Sequence, residues 1–162
     1  MTRQEATTFY RTHSKALYNT ALRIVRDSAE AEEIMQDALM RYFEKGVRSA
    51  TVPQAARWLQ TTCVRMSIDA LRRRKKWMDI TATMPSEDME PGAELPETMD
   101  IMQVKSAMER LPHPYSLILD LILIEGMEYS EIARMTGQKV TTLRSWYSRG
   151  RARLVKELKH RL

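Results

Sequence analysis

This sequence of 162 residues contains one cysteine and no long apolar run. A single cysteine excludes an intrachain disulfide and any zinc site built from several thiolates, so Cys63 is expected to be a small buried hydrophobe. No apolar stretch approaches the ~18–20 residues of a membrane span. The amino-terminal MTRQEATTFYRTH also lacks the apolar core of a secretion signal. These absences predict a cytoplasmic protein without membrane insertion.

Motifs for catalysis and metal binding are missing as well. The sequence has no glycine-rich phosphate loop, no Ser/His/Asp signature and no His-Glu-x-x-His motif. A helical di-metal site would need Glu-x-x-His pairs, but the three histidines, His13, His113 and His160, are scattered without them. We therefore expect no enzyme activity, no metal and no cofactor.

Charge is distributed unevenly along the chain, although the net value is only +5. Residues 1–76 carry +7 and residues 101–162 carry +5, whereas residues 77–100 hold seven acids and no lysine or arginine. Two basic blocks on either side of an acidic connector indicate two anion-binding modules. The connector also contains three prolines and a glycine, which predicts a flexible acidic linker over 78–97 between domains 1–77 and 98–162.

Apolar residues recur with a helical period through both basic blocks, and no strand pattern occurs. The pattern predicts an all-α protein whose N-terminal domain is a three- or four-helix bundle. Its second helix is expected to begin near Asp27 or Ser28, and its third to run from Pro53 to about Lys76. The predicted inward stripe of that third helix is Ala55, Trp58, Leu59, Thr62, Cys63, Met66 and Ala70.

The C-terminal block has the pattern of a helix-turn-helix. A buried helix, YSLILDLILIEG, is expected to end at Gly126, and a short helix, a turn at Gly137 and a long helix anchored by Leu143 follow. Hydroxyls and cations near a helix start can read base edges and hold phosphates. An ordinary helical hairpin with a solvated basic face is the alternative. The outward residues of the long helix are predicted to be Lys139, Thr141, Thr142, Arg144, Ser145, Ser148 and Arg149.

The stretch SIDALRRRKKW, residues 67–77, places five consecutive cations at the end of the third helix. Such a run could hold nucleic acid, attach to a membrane surface, or be a solvated helix end. A membrane-surface helix needs a free apolar face, and the stripe of this helix is required for the bundle core. We therefore interpret the run as a largely sequence-independent grip on phosphates.

Three segments together resemble the sigma-70 family of RNA polymerase sigma factors, in the extracytoplasmic-function (ECF) group. AEEIMQDALMRYF resembles region 2.2, and WLQTTCVRMSIDALRRRKK resembles regions 2.3–2.4. The stretch LPHPYSLILDLILIEGMEYSEIARMTGQKVTTLRSWYSRGRARL resembles region 4. Together the matches run from about Phe9 to Leu158 apart from the linker. The resemblance implies a promoter-specificity subunit with core RNA polymerase and promoter DNA as partners.

The resemblance also implies roles for residues of the N-terminal domain. Gln36 and Asp37 match positions that bind the clamp helices of the polymerase β′ subunit, with Glu33 and Arg41 as flanking candidates. Met35, Met40 and Tyr42 are expected to rim this acidic helix. The alternative is an Asp37–Arg41 ion pair on a solvated face. The candidate contacts to the −10 element are Arg48, Ser49, Thr51, Arg65, Arg72, Arg73 and Lys76, and Trp77 is a candidate stacking or helix-end contact.

Region 4 of the family implies that the outward residues of the long helix bind the −35 element. The chain departs from the family pattern at several positions. Glu128 replaces a capping Ser or Thr but is still expected to offer an acceptor at the helix start, and Trp146, at a common arginine position, is expected to pack rather than to contact DNA. Gly150 replaces an alanine, at a cost of about 1 kcal/mol in a helix interior. The other departures are Arg65, in place of an asparagine, and Lys139, in place of a serine.

Further partners are implied by the family, namely the polymerase β subunit and an anti-sigma factor. Because the chain ends soon after region 4, no additional C-terminal regulatory domain is expected. Two other functions stay open on the residues alone. One is a self-sufficient helix-turn-helix regulator, and the other is a sigma-like decoy that binds an anti-sigma factor without starting transcription.

Overall fold

The computed structural model describes residues 2–45, 51–74 and 100–160. Over these ranges the chain is helical and contains no β-strand, which confirms the predicted all-α class. The chain divides into two compact units, Met1–Arg74 and Lys75–Leu162. None of the described helices has the length and apolar character required to cross a bilayer. The predicted linker 78–97 lies outside the described residues.

In the described residues of the N-terminal unit, three helices form a bundle: α1 (Arg3–Val25), α2 (Ser28–Lys45) and α3 (Val52–Arg73). Side chains fix where these helices begin. At the start of α2, an Asp27 carboxylate oxygen accepts a hydrogen bond of 2.9 Å from the Glu30 N–H. At the start of α3, Thr51 and Gln54 form a reciprocal capping box. The predicted extension of α3 to Lys76 was too long, because the helix ends at Arg73.

The bundle core is formed where α3 packs against both α1 and α2. Cys63 is fully buried, as predicted. The predicted stripe of α3 was only partly right, however, since Trp58, Thr62 and Met66 are half-buried. Contact with two neighbouring helices widens the buried face of α3 beyond a single stripe. Its buried residues are Ala55, Leu59, Cys63, Val64, Ser67, Ile68, Ala70 and Leu71.

Aromatic rings from all three helices meet in the N-terminal unit. The Phe9 ring stacks on the Tyr42 ring, with centroids 4.6 Å apart. The His13 and Trp58 rings extend the cluster, at 4.5 Å from Phe9 and 5.7 Å from Tyr42 respectively. Partial burial lowers the pKa of His13. These contacts tie the N-terminal half of α1 to the C-terminal end of α2 and to α3.

The C-terminal unit contains α4 (Ile101–Glu109), α5 (Tyr115–Leu119), α6 (Tyr129–Thr136) and α7 (Val140–Lys159). The buried segment predicted as one helix changes its hydrogen-bond pattern halfway, because α5 continues as a π-helical turn over Asp120–Ile124. Gly126 follows with a φ of 67°. Every residue from 115 to 121 is buried, so this segment is the centre of the unit.

Gly150 lies where α7 crosses α5. A Cβ atom at this position would lie 3.3 Å from the Tyr115 Cβ and 3.4 Å from side-chain atoms of Leu119. A side chain at this position would require Tyr115 or Leu119 to shift by a few tenths of an ångström, in an interior with little free space. The close approach of α5 and α7 therefore explains why a glycine stands in the middle of this helix.

Candidate nucleic-acid and partner interfaces

The turn between α6 and α7 is built from two adjacent residues. Gly137 has a φ of 74° and donates a backbone hydrogen bond of 2.9 Å to the Ala133 carbonyl. The buried Thr136 hydroxyl donates to the Ile132 carbonyl at 2.7 Å and accepts from the Gln138 N–H at 3.2 Å. The sequence predicted the role of Gly137 but missed that of Thr136. A threonine directly before a turn glycine was the available signal.

The inner side of α7 fixes this helix against the rest of the unit. Leu143 is fully buried, and Trp146 is only 2% exposed, so the tryptophan packs inside. Tyr147, the next residue of α7, is half-buried. The large indole ring therefore occupies the interior position, and the tyrosine lies at its edge.

We call the outward side of α7 and its N-cap the recognition face; it contains Lys139, Thr141, Thr142, Arg144, Ser145, Ser148 and Arg149. Lys139, Thr141, Arg144 and Ser148 are exposed, whereas Thr142, Ser145 and Arg149 are half-buried. No side chain caps the start of α7. An uncapped helix start with cations nearby favours bound anions such as phosphates.

The start of α6 differs from the prediction. Glu128 occupies the N-cap position, but its side chain makes no capping hydrogen bond. The first residue of the helix, Tyr129, instead packs against residues of α7. Its ring centroid lies 5.6 Å from the Arg144 guanidinium carbon and 6.4 Å from the Tyr147 ring centroid. Burial raises the pKa of the Tyr129 hydroxyl, Tyr147 adds to this effect, and Arg144 opposes it.

The exposed side of α2 forms a second surface, which we call the partner face; it contains Glu33, Gln36, Asp37, Met40 and Arg41. All five side chains are exposed, and Met40 has 56% of its surface accessible. Within the described residues no ion pair joins Asp37 to Arg41, so the alternative of a paired, solvated face receives no support.

The predicted apolar rim of the partner face was partly wrong. Met35 and Tyr42 are 7% and 6% exposed, because both belong to the core of the bundle. Met40 is thus the one large apolar side chain of the predicted rim that is accessible. A single apolar residue surrounded by charged and amide groups resembles the centre and rim of a protein interface.

The predicted −10 residues of α3 lie on its exposed side. Arg65, Arg72 and Arg73 are all exposed. Asp69, which is four residues from Arg65 and four from Arg73, is exposed as well. Thr51 is also exposed, but its hydroxyl oxygen accepts the capping hydrogen bond from the Gln54 N–H at 3.4 Å. The Thr51 side chain therefore serves as the N-cap of α3. Arg48, Ser49, Lys76 and Trp77 lie outside the described residues.

One arginine of the basic run has a structural role. Arg74 follows the last residue of α3, where the backbone turns extended, with φ −84° and ψ 149°. Its guanidinium donates a hydrogen bond of 3.0 Å to the Val25 carbonyl at the end of α1 and forms an ion pair with Glu30 in α2. Arg74 thus joins the ends of all three helices, which the charge pattern did not reveal.

No group of three or more His, Cys, Asp or Glu side chains in the described ranges could hold a metal ion.

Family models match most of the chain. "Sigma-70 region 2" matches residues 9–77, and "Sigma-70, region 4" matches residues 101–154. The first range covers the partner face and the basic run, and the second includes the turn and most of α7.

Curated relatives are similar over nearly the whole chain. The ECF RNA polymerase sigma factor SigM of Mycobacterium tuberculosis is 30% identical, and the match covers 92% of this chain and 74% of that protein. The ECF RNA polymerase sigma factor SigE of Mycolicibacterium smegmatis is 27% identical over 89% of this chain. The chain spans 58% of the length of that second relative.

A solved structure has a similar fold. It is the sigma factor RpoE in complex with the anti-sigma factor NepR from Bartonella quintana, with a TM-score of 0.54. The match covers 96% of this chain and 98% of that one at 22% identity. Identity at this level shows likeness of fold alone.

Arg74→Ala should destabilise the N-terminal bundle by about 1–2 kcal/mol, because it removes a charge-assisted hydrogen bond and a partly exposed ion pair. Arg73→Ala is the matched control, since it removes an exposed neighbour of the same type and should change stability by less than about 0.5 kcal/mol. Urea unfolding measures the free energy of unfolding of both variants, and hydrogen exchange of the α1–α3 amides reports the stability of the N-terminal bundle itself. Equal stability of the two variants would contradict the structural role of Arg74.

Proposed function

The chain belongs to the sigma-70 family of RNA polymerase sigma factors, in the ECF group, and on this premise we propose that it binds core RNA polymerase and directs it to specific promoters. The observation that carries the proposal is the presence of both matches, region 2 and region 4, in one chain, the second around a well-formed helix-turn-helix. The domain limits proposed for these activities are 1–77 and 98–162, joined by a linker over 78–97. RNA synthesis is catalysed by the polymerase, so we assign this chain no catalytic residue. We also propose a cytoplasmic location, where core RNA polymerase is found.

The partner face is proposed to bind the clamp helices of the polymerase β′ subunit. Its exposed Met40 can be buried by a partner, while Gln36 and Asp37 supply hydrogen-bonding groups beside it. Interfaces commonly combine such an apolar centre with a polar rim. Charge complementarity then selects the partner, because an unmatched buried carboxylate is costly. Glu33 and Arg41 flank the centre and are proposed as secondary contacts.

The exposed arginines of α3 are proposed to hold DNA at and upstream of the melted −10 element. Arg65, Arg72 and Arg73 are exposed and can neutralise phosphates, and Arg74 is assigned the structural role at the helix ends. Extruding a base from the stack costs a few kcal/mol, and contacts to the backbone help to offset that cost. Arg48, Ser49 and Thr51, before and at the start of α3, are proposed to contact the opened strand, and Lys76 to extend the grip.

The recognition face is proposed to enter the major groove at the −35 element. Thr141, Arg144 and Ser148 lie on one side of α7 at spacings of three and four residues, all exposed. Donors and acceptors so placed can reach base edges, while Lys139 and Arg149 suit flanking phosphates. The linker holds two weakly DNA-binding domains on one polymerase. Binding of one domain to its element therefore raises the effective concentration of the other domain at the second element.

Regulation by an anti-sigma factor is proposed from the family. The similar sigma factor of Bartonella quintana was crystallised with the anti-sigma factor NepR, and we extend the expectation of such a partner to this chain. The polymerase β subunit is proposed as an additional contact. A self-sufficient regulator and a sigma-like decoy are not favoured, because the curated relatives carry the name of ECF RNA polymerase sigma factors.

Asp37→Lys should weaken binding to core RNA polymerase at least about tenfold, because a lysine at the centre of the partner face reverses its charge. Glu32→Lys is the matched control. Glu32 is exposed on the same helix, but it lies about 140° around the axis from Asp37. Affinity capture of purified core enzyme by each full-length variant gives the comparison. Equal retention of polymerase by Asp37→Lys and the wild type would show that the partner face has another role.

Replacing Arg72 and Arg73 by glutamine should reduce promoter opening at every promoter tested, because phosphate contacts carry no sequence information. The dependence of log affinity on log salt should become shallower by about 0.7–0.9 for each phosphate that is no longer neutralised. Permanganate reactivity of unpaired thymines, measured for the holoenzyme on two or more selected promoters, reports opening. A change of promoter preference without general weakening would contradict a sequence-independent grip.

A further inference from the structure

An aromatic ring lies beside one guanidinium group of the recognition face. The Arg144 guanidinium carbon is 5.6 Å from the centroid of the Tyr129 ring, within the range of a cation–π contact. The two residues come from different helices, since Tyr129 begins α6 and Arg144 lies in the second turn of α7. The contact therefore spans the helix-turn-helix itself.

The Tyr129 ring is itself held in place. Tyr147, one turn after Arg144, packs against it edge to face, with the ring planes at 83°. Tyr129 and Tyr147 are both half-buried, whereas Arg144 is exposed. The burial of Tyr129 is also reflected in the raised pKa of its hydroxyl. A partly fixed ring thus lies next to a side chain that would otherwise sample many rotamers.

We propose that Tyr129 is a positioning residue for DNA recognition, whose ring holds the Arg144 guanidinium in the direction needed to contact the duplex. This inference rests on the proposed function of the recognition face. An arginine that is already oriented loses less conformational freedom on binding. At an exposed site a cation–π contact of this kind is worth a factor of about two to five in an equilibrium constant.

The first measurement tests the contact without DNA. In the free full-length chain, the side-chain proton signals of Arg144 should be displaced by the ring current of Tyr129. Tyr129→Leu should remove this displacement, and Tyr129→Phe should keep it. Unchanged Arg144 signals in Tyr129→Leu would overturn the inference, because the ring would then not lie over the guanidinium in solution.

The second measurement tests the consequence for binding. The probe is a promoter duplex selected from a randomised pool by the wild-type chain bound to core RNA polymerase. Tyr129→Leu should raise the holoenzyme dissociation constant by about two- to five-fold, whereas Tyr129→Phe should bind as the wild type does. Tyr10→Leu, a matched substitution of a half-buried tyrosine in α1, controls for loss of an aromatic ring elsewhere.

A double-mutant cycle separates positioning from a structural effect. If Tyr129 acts through Arg144, then Tyr129→Leu should change binding little in an Arg144→Ala background. Equal losses in both backgrounds, or tighter binding by Tyr129→Leu alone, would overturn the proposal. Failure of the wild type to select any duplex would refute the proposed function, and this inference with it. Selection by the wild type with an unaffected Tyr129→Leu variant would refute this inference alone.

Discussion

Burial of one apolar face per helix is the constraint on which the rest of this structure depends. The apolar face of α3 is buried by packing against α1 and α2 together, and that of α7 by packing against α4, α5 and α6. Once these faces are used, little apolar surface is left over in the described residues. The exposed large hydrophobic side chains there are Met40, Val52, Ile101 and Met102. Most of the other exposed side chains of α2, α3 and α7 are polar or charged, and so available for partners and DNA.

The arginines show how this packing assigns different roles to one residue type. Arg72 and Arg73 point outward from α3, whereas Arg74, the next residue, bonds to the Val25 carbonyl and pairs with Glu30. The difference arises because the helix ends at Arg73 and the chain turns back across the bundle. In α7, Arg144 lies over an aromatic ring from the preceding helix. Side chains of equal charge thus take different roles according to the backbone that carries them.

The sequence was sufficient for the fold class and the turn at Gly137, since apolar period and turn glycines are local signals. It was insufficient where position depends on tertiary packing. Periodicity did not show that Tyr147 would remain at the edge while Trp146 packed fully inside. The expected rim of the partner face placed Met35, which is buried, together with Met40, which is exposed. Nor could periodicity show the π-helical turn after Leu119, which depends on hydrogen bonds and not on composition. The roles of the site residues remain proposals.

Run-off transcription with purified core RNA polymerase tests the central claim most directly. The template carries a promoter selected by the chain together with core enzyme, and the chain is added or omitted. We expect transcripts from one defined start site only when both the chain and core enzyme are present, and only weak protection of the same promoter by the free chain. A chain that binds core enzyme without producing such transcripts, or that protects the promoter strongly by itself, would contradict its assignment as a promoter-specificity subunit.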